Sequence, residues 1–227
     1  MSERGRVDGV GGGKVIPTDK RNFDTEAAFW DERPARIKLA KDVAGAISSQ
    51  LALTQEMDVM DFGCGTGLLA VELQPLVRSV TCVDSSPGML DILARKIADR
   101  NLDTMQTMLA DCDRGDVLAG RYDLVVSCMT LHHVRDLPRL FGQLFNVVAP
   151  GGHLAIADLA PDDGRFHEDN TGVFHFGFDQ STLHGVFTDA GFQQVRDTNA
   201  AEVIKPDAEG ETRRFSVFLM TGRKPLR

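Results

Sequence analysis

Acidic residues end three successive β-type runs in the first half of the chain, and a glycine-rich turn follows the first of them. Asp61 lies in "VMDFGCGTG", Asp84 ends "VTCVD", and Asp111 stands in "ADCD". If these runs are parallel strands, their carboxyl ends meet at the edge of the sheet where such folds bind ligands. Alternate glycines leave the backbone bare, so a ligand can approach without meeting a Cβ. We therefore expect a ligand site at this edge.

The charges around the turn indicate the ligand. The spacing G-x-G-x-G differs from the G-x-G-x-x-G of dinucleotide sites, and the neighbouring Asp61 would repel a pyrophosphate. Asp84 can accept hydrogen bonds from both hydroxyls of a ribose, and Asp111 can accept one from an adenine amine. Three carboxylates without a basic residue among them fit a positively charged nucleoside. This pattern favours S-adenosylmethionine, which has a sulfonium, an ammonium, a ribose diol and an adenine.

Two further segments hold side chains that could act on a substrate. His132 and His133 follow the predicted fourth strand in "TLHHV", and imidazoles titrate near neutral pH, so both are candidates for a general base. A later segment alternates aromatic rings with one histidine: Phe174, His175, Phe176 and Phe178. This segment is either a pocket wall with the histidine facing the substrate, which makes His175 a third catalytic candidate, or an edge segment whose phenylalanines fill the core.

The spacing of the remaining histidines does not indicate a metal site. His167 and His175 are eight residues apart, and His184 lies nine residues further on. These intervals match no common set of metal ligands. We therefore expect no bound metal.

The composition disfavours several classes of partner. The net charge is −8, from 25 Lys and Arg against 33 Asp and Glu, whereas nucleic acids and anionic membranes require clustered cations. No apolar run approaches the roughly 18 residues of a membrane span, and residues 1–19 are polar and glycine-rich, unlike a signal peptide. We expect a cytoplasmic protein that binds neither nucleic acid nor membrane.

Short β-type runs alternate with helical patterns along the chain, which predicts a mostly parallel sheet with helices on both faces. The predicted strands are Asp58–Phe62, Ser79–Asp84, Thr104–Ala110, Tyr122–Cys128, His153–Asp158, Gln193–Asp197 and Phe215–Thr221. The predicted helices between them are Leu68–Val77, Pro87–Arg100, Asp136–Val148 and Gln180–Ala190. The last two strands have only a loop between them, so we expect an antiparallel hairpin at one edge.

The N-terminal part predicts a disordered segment followed by two helices. Residues 1–20 contain five glycines and few apolar side chains, which is typical of disorder. Asp24 could cap a short helix that runs through Trp30, and Pro34 suits the start of a second helix. We find no linker after that point, so residues 21–227 are expected to form a single domain.

In these motifs the chain resembles the class I S-adenosylmethionine-dependent methyltransferases, and most closely their small-molecule branch of quinone and metabolite enzymes. "DFGCGTG" looks like the first motif, "VTCVDSSPGML" like the ribose-binding strand and its helix, and "LADCD" like the adenine-side motif. "YDLVVSCMTLHHV", "LFNVVAPGGHLAIADL" and "RFSVFLMTGRKP" are similar to the fourth, fifth and last strands with their flanks. The resemblance runs from about Phe23 to the C-terminus. It implies an α/β fold with a Rossmann-like seven-stranded sheet.

The resemblance also implies roles for particular residues. The Gly63–Gly65 backbone would meet the methionine moiety, with Asp61 near its ammonium and Met89 against the adenine ring. The complete set of implied cofactor contacts is Asp61, Gly63, Cys64, Gly65, Gly67, Asp84, Ser85, Met89, Asp111, Cys112 and Ser127. A helical lid over residues 21–52 would place Phe23 and Trp30 where the family often has tyrosines. A substrate-covering insertion would occupy about residues 160–180.

The leading hypothesis is an enzyme that methylates O, N or C of a small, partly apolar metabolite, leaves S-adenosylhomocysteine, and acts as a monomer or homodimer. One alternative is a non-catalytic protein that binds S-adenosylmethionine or S-adenosylhomocysteine, and another is a protein methyltransferase. The glycine spacing and the terminal hairpin disfavour a nicotinamide-dependent oxidoreductase. "SCMTLHHV" lacks the Asn/Asp-Pro-Pro-aromatic pattern of enzymes that methylate amino groups of nucleic acids.

Overall fold

The computed structural model describes residues 21–207 and 210–226, whose strands form one sheet. The expected disorder of residues 1–20 lies outside the described residues. The strands are β1 (Asp58–Phe62), β2 (Ser79–Asp84), β3 (Met105–Leu109), β4 (Tyr122–Cys128), β5 (Val148–Leu159), β6 (Gln193–Pro206) and β7 (Thr212–Arg223). The α-helices are α1 (Pro34–Gln50), α2 (Leu68–Leu73), α3 (Pro87–Arg100), α4 (Leu137–Val147) and α5 (Gln180–Asp189).

The strand order is β3-β2-β1-β4-β5-β7-β6. The pairs from β3 to β5 are parallel, and β7 pairs antiparallel with both β5 and β6. This confirms the predicted seven-stranded α/β sheet with an antiparallel hairpin at one edge. The chain winds outward from β1 to β3 and then returns to place β4 beside β1, so the strand order reverses at β1 and β4. Ligand sites in such sheets lie at the carboxyl ends of the strands at this reversal.

The strands buried in the middle of the sheet have the predicted bounds, whereas those near its hairpin edge are longer than predicted. β1, β2 and β4 begin and end at the predicted residues. The predicted strands within β5, β6 and β7 form only parts of the observed ones. Most side chains of the edge strand β6 are exposed or half-buried, so its polar sequence gave no apolar alternation from which to predict its length.

Helices cover both faces of the sheet because successive strand residues point to opposite sides. Val59, Cys82 and Val126 face α1, α2 and α3, while Met60 and Val125 face α4 and α5. Each face has its own cluster of buried aliphatic and aromatic side chains, which supplies the main stabilising term of the fold. Within the described part of the chain, no helix combines the length and the apolar character that a bilayer crossing demands.

The N-terminal segment folds as two 3-10 helices, Phe23–Thr25 and Ala27–Glu32, rather than as one capped helix. Asn22, not Asp24, accepts the capping hydrogen bond of the first of them, so the predicted cap was wrong. Asp24 instead accepts a hydrogen bond from the hydroxyl of Ser86, the N-cap residue of α3. Its carboxylate thereby ties the segment to the N-terminus of a helix, where the helix dipole favours negative charge.

Asp31 provides a second tie between this segment and the rest of the fold. It pairs with the Lys96 ammonium of α3 at 2.7 Å and accepts a hydrogen bond from the Thr66 hydroxyl in the glycine turn. Lys96 also donates to the Thr66 carbonyl at 2.6 Å. These contacts hold residues 21–33 beside the turn that follows β1.

We predict that Gly67→Ala destabilises the protein. Gly67 begins α2 with a φ of 78°, and a Cβ there would lie 2.5 Å from Leu93 Cδ1. The left-handed backbone costs a residue with a Cβ about 1–2 kcal/mol, and the crowding adds about 1–3 kcal/mol. Urea unfolding followed by circular dichroism should show a free energy of unfolding lowered by about 2 kcal/mol or more.

Gly45→Ala is the matched control, because Gly45 is exposed within α1 and an added Cβ would meet nothing within 4 Å. This change should raise the free energy of unfolding by about 0.5–1 kcal/mol, as removal of a helical glycine does. A Gly67→Ala protein as stable as the parent would contradict the assigned backbone conformation.

Candidate functional site

The turn between β1 and α2, residues 63–67, exposes bare backbone at the carboxyl end of the sheet. Gly65 has a φ of 53°, and a Cβ added to it would meet only Met89 Sδ at 3.9 Å and Trp30 Nε1 at 4.0 Å. Its N–H donates to Asp84 Oδ2 at 2.8 Å, which fixes the turn to the end of β2. A ligand can therefore lie against this backbone without displacing a side chain.

A cavity of about 560 Å³ opens beside the turn. Its walls come from the ends of β1, β2 and β4, the segments after β3 and β5, the N-terminus of α1 and the end of β6. Nine of the eleven residues with a predicted cofactor contact line it: Asp61, Gly63, Cys64, Gly65, Asp84, Ser85, Met89, Asp111 and Cys112. Phe23 and Trp30 from the predicted lid also line it. The structure thus brings these residues together, and the contacts that each would make with a ligand stay predictions.

Gly67 and Ser127 are the two predicted contacts that do not line the cavity. Gly67 lies at the start of α2 against Leu93, where its missing Cβ allows the helix to pack. Ser127 is 2% exposed, and its Oγ has no hydrogen-bond partner within residues 21–207 and 210–226. Its neighbour Cys128 lines the cavity instead.

Asp61 is a buried carboxylate at the end of β1. It is 1% exposed, and its Oδ2 has no hydrogen-bond partner in the described part of the chain. Burial, and to a smaller extent the Asp84 carboxylate, raise the pKa of Asp61 to about 7. A cation placed beside Asp61 would reverse this shift, because an opposite charge favours the ionised form.

The other two strand-end acids also face the cavity. Asp84 accepts from the N–H of Ser86 through Oδ1 at 2.8 Å as well as from Gly65, so its carboxylate is held in one orientation. Asp111 lies beside Cys112, and burial raises the pKa of this thiol to about 11, so the thiol stays protonated at neutral pH.

Three histidines meet where the segments after β4 and β5 border the cavity. One ring nitrogen from each of His132, His133 and His167 lies within 4.8 Å of the others. Nδ1 of His132 is 2.7 Å from Asp158 Oδ1, and Nδ1 of His133 is 2.7 Å from the Gly172 carbonyl oxygen. Because these oxygens accept hydrogen bonds, Nδ1 carries a hydrogen in both rings.

Burial keeps two of these rings neutral. Burial first, and the neighbouring His132 second, lower the pKa of His133 to about 3 and that of His167 to about 2. A base with so low a pKa takes up a proton poorly at neutral pH, which disfavours His133 as a general base. The Nε2 of His167 is buried and has no hydrogen-bond partner among the residues described.

The aromatic segment does not line the cavity. Neither His175 nor Phe174, Phe176 and Phe178 line it, so the structure does not support the predicted aromatic pocket wall. His175 Nε2 is 2.9 Å from the Val134 carbonyl oxygen. The prediction assumed the alternation of a strand, but the segment is irregular, with Gly177 at a φ of 76°. Phe174 and Phe178 are both buried, as in the alternative interpretation.

The cavity wall also carries cations that were not predicted from the sequence: Arg21, Arg33, Arg36 and Lys205. Arg36 lies 3.4 Å from the Trp30 ring centroid, and Lys205 Nζ lies 3.8 Å from that of Phe166. Burial first, and the charge of Arg33 second, lower the pKa of Arg36 to about 10. Pro34 marks the start of α1, so a site at this helix start could have been proposed from the sequence. Lys205 gave no comparable signal.

Comparisons with known proteins agree with this geometry. The family model described as "Methyltransferase domain" matches residues 29–197. The malonyl-(acyl-carrier protein) O-methyltransferase of Methylovorus sp. strain MP688 is 30% identical over 209 residues, which cover 86% of this chain and 70% of that protein. An uncharacterized methyltransferase of Schizosaccharomyces pombe is 29% identical over 154 residues, or 61% of this chain. The chain spans only about half of that relative, 54%.

The solved structures include phosphoethanolamine N-methyltransferase 2 of Haemonchus contortus in complex with S-adenosyl-L-methionine. It superposes with a TM-score of 0.64 at 14% identity, over 80% of this chain and 52% of that chain, which shows a common fold. The family match covers most of the chain, and the three strand-end acids line the cavity. The chain belongs to the class I S-adenosylmethionine-dependent methyltransferases.

Proposed function

We propose that this protein transfers the methyl group of S-adenosylmethionine to an oxygen of a small metabolite that carries a carboxylate. The observation that supports the acceptor class is the group of three cations, Arg33, Arg36 and Lys205, on the cavity wall. The sequence alone left O, N and C acceptors open. The substrate, the activity of the whole protein and its action as a monomer or homodimer are parts of this proposal.

The acidic end of the cavity suits the cofactor. Asp84 would accept from the ribose hydroxyls, and Asp111 would accept from the adenine amine. Asp61 would pair with the ammonium of the methionine moiety, which would relieve its unpaired oxygen. The sulfonium, when bound, supplies an already activated methyl group, so the protein has to position the acceptor on the methyl axis and exclude water.

The basic side of the cavity suits an anion. Burial lowers the pKa of Lys205, and the positive charges of Arg33 and Arg36 lower it further, whereas Glu168 opposes them. An acceptor carboxylate would reduce the repulsion among these cations. Arg33 is also the N-cap residue of α1, and the positive end of this 17-residue helix attracts negative charge.

A carboxylate acceptor agrees with the weak basicity of His133 at the cavity. A carboxylate is already ionised at neutral pH, so methyl transfer to its oxygen needs no proton removal. The low pKa of His133 is no obstacle to such a reaction. The name of the Methylovorus relative, malonyl-(acyl-carrier protein) O-methyltransferase, supports an oxygen acceptor.

Two segments would close the site around the reactants. The first lies in the lid predicted over residues 21–52, and its Phe23 and Trp30 line the cavity beside the glycine turn. The second, residues 160–179, supplies Phe166 and His167 on the acceptor side. We propose that both segments cover the site and exclude water during methyl transfer.

We predict that affinity for S-adenosylmethionine rises with pH below neutrality. The pKa of Asp61 is about 7 without ligand, and a bound ammonium would lower it, so binding releases a proton. Between about pH 5.5 and about pH 7, where the ligand ammonium stays protonated, the association constant should rise about tenfold. Isothermal titration in buffers of different ionisation enthalpy measures both the constant and the released proton.

The control is Asp61→Asn, which keeps the shape of the side chain but cannot titrate. It should bind more weakly, with an affinity that changes little over the same pH range. If the variant shows the same pH dependence as the parent, Asp61 is not the titrating group and does not face the ammonium.

Lys205→Met should weaken binding of an anionic acceptor. An acceptor screen with a labelled methyl group should select carboxylates over their amides. For a selected acceptor, loss of a charge-assisted contact, worth about 1.5–3 kcal/mol, should raise KM about 10- to 100-fold with a smaller effect on kcat. Lys38→Met is the matched control, because Lys38 is an exposed residue of α1 that pairs with Asp42.

Equal activity with a carboxylate and its amide would contradict the proposed acceptor class, as would an unchanged KM in Lys205→Met. If S-adenosylmethionine binds but no acceptor in a broad screen is methylated, the non-catalytic binding protein becomes the better hypothesis.

A further inference from the structure

We propose that His132, His133 and His167 form a binding site for Zn²⁺ on the acceptor side of the cavity. The three residues are the only group of three or more His, Cys, Asp or Glu in the described part of the chain whose potential ligand atoms converge closely enough for a metal ion. Zinc sites with three imidazoles and one open position are well suited to bind a further oxygen ligand.

The hydrogen bonds of two rings use Nδ1, so Nε2 of each ring is the atom that could bind a metal. Nδ1 of His132 points to the Asp158 carboxylate, and Nδ1 of His133 points to the Gly172 carbonyl oxygen, each at 2.7 Å. Zinc-binding histidines characteristically donate this second ring hydrogen to a carboxylate or a backbone carbonyl, which fixes the tautomer and the ring orientation. The outer contacts of a zinc site are therefore already formed around both rings.

The third ring has the unsatisfied atom that a metal would occupy. Nε2 of His167 is buried and has no hydrogen-bond partner in residues 21–207 and 210–226. A buried polar atom without a partner costs about 1–3 kcal/mol, so a bound cation would remove an existing penalty. Asp158 adds a negative charge behind His132 and is 0% exposed, which favours a cation at this place.

The distances require a small contraction. Tetrahedral zinc with bonds of about 2.0–2.1 Å holds its nitrogens about 3.3 Å apart. The ring nitrogens here lie within 4.8 Å of one another, so the cluster has to close by at most about 1.5 Å. His167 lies in the irregular segment between β5 and α5, where a side-chain rotation can supply this movement.

All three histidines line the cavity, so a fourth ligand position can face the acceptor. This role rests on the proposed function: the ion would hold an acceptor oxygen near the cations of the α1 end and so orient the molecule toward the methyl group. Metal binding itself does not depend on that role and can be measured separately.

The competing explanation is a cluster of packed rings without a metal. The ring centroids of His132 and His133 are 4.2 Å apart, and those of His132 and His167 are 5.0 Å apart. Phe23 and Phe166 pack edge-on against the cluster at 5.0 and 4.9 Å. Ring packing explains the proximity of the three side chains, but it leaves Nε2 of His167 without a partner.

The test is metal binding to the full-length, tag-free protein after removal of metals with a chelator. Titration with Zn²⁺ should show one equivalent bound with a dissociation constant in the micromolar range or tighter. Co²⁺ should give the intense visible absorption of a tetrahedral site, and Zn²⁺ should displace it. His167→Ala should weaken Zn²⁺ binding at least about 100-fold, and Asp158→Asn about 10- to 100-fold.

The matched control is His184→Ala, since His184 is an exposed residue of α5 outside the cavity. It should bind Zn²⁺ as the parent does. If His167→Ala does not fold, His167→Phe keeps the ring packing and removes the ligand atom. No Zn²⁺ binding by the parent protein, or equal binding by the His167 variants, would overturn the proposal.

A parallel titration with S-adenosylmethionine distinguishes this inference from the proposed function. If the protein binds S-adenosylmethionine but does not bind Zn²⁺, the methyltransferase proposal stands and the metal site is ruled out. If the protein binds Zn²⁺ but does not bind S-adenosylmethionine, the metal site is supported and the proposed cofactor contacts are ruled out.

Discussion

The buried carboxylate of Asp61 is the constraint on which the cofactor end of the site depends. It lies where the strand order reverses, beneath the glycine turn, with one oxygen unpaired and the Asp84 carboxylate nearby. Burial and the nearby Asp84 carboxylate make the ionised form costly, which is why the pKa of Asp61 rises to about 7. The fold thus keeps a place where a cation is favoured and a phosphate is repelled, and this explains the departure from the dinucleotide pattern.

Acidic and basic side chains lie on different parts of the cavity wall. The strand ends supply carboxylates, whereas the start of α1 and the end of β6 supply Arg33, Arg36 and Lys205. The histidine cluster borders the cavity after β4 and β5. A positively charged methyl donor and a negatively charged acceptor would each meet the opposite charge, so the arrangement favours bringing the two together in one orientation. Positioning of this kind can supply much of the rate of a displacement reaction.

Local features were predictable from the sequence, whereas long-range neighbours were not. The bounds of β1, β2 and β4 and the three strand-end acids followed from apolar runs and the residues at their ends. The histidine cluster did not, because His167 follows His133 by 34 residues through an irregular segment, and spacing rules detect only ligands close in sequence. The aromatic segment was misjudged because Gly177 breaks the assumed alternation. Lys205 lies in β6, a polar strand without apolar periodicity, so its place at the cavity could not be predicted from the sequence.

The most direct test of the account is isothermal titration of the purified protein with S-adenosylmethionine and, separately, with NAD. The account predicts micromolar binding of S-adenosylmethionine and no measurable binding of NAD, because the strand-end carboxylates favour a cationic nucleoside and repel a pyrophosphate. Binding of NAD with comparable affinity, or failure of S-adenosylmethionine to bind with and without candidate carboxylate acceptors, would contradict it.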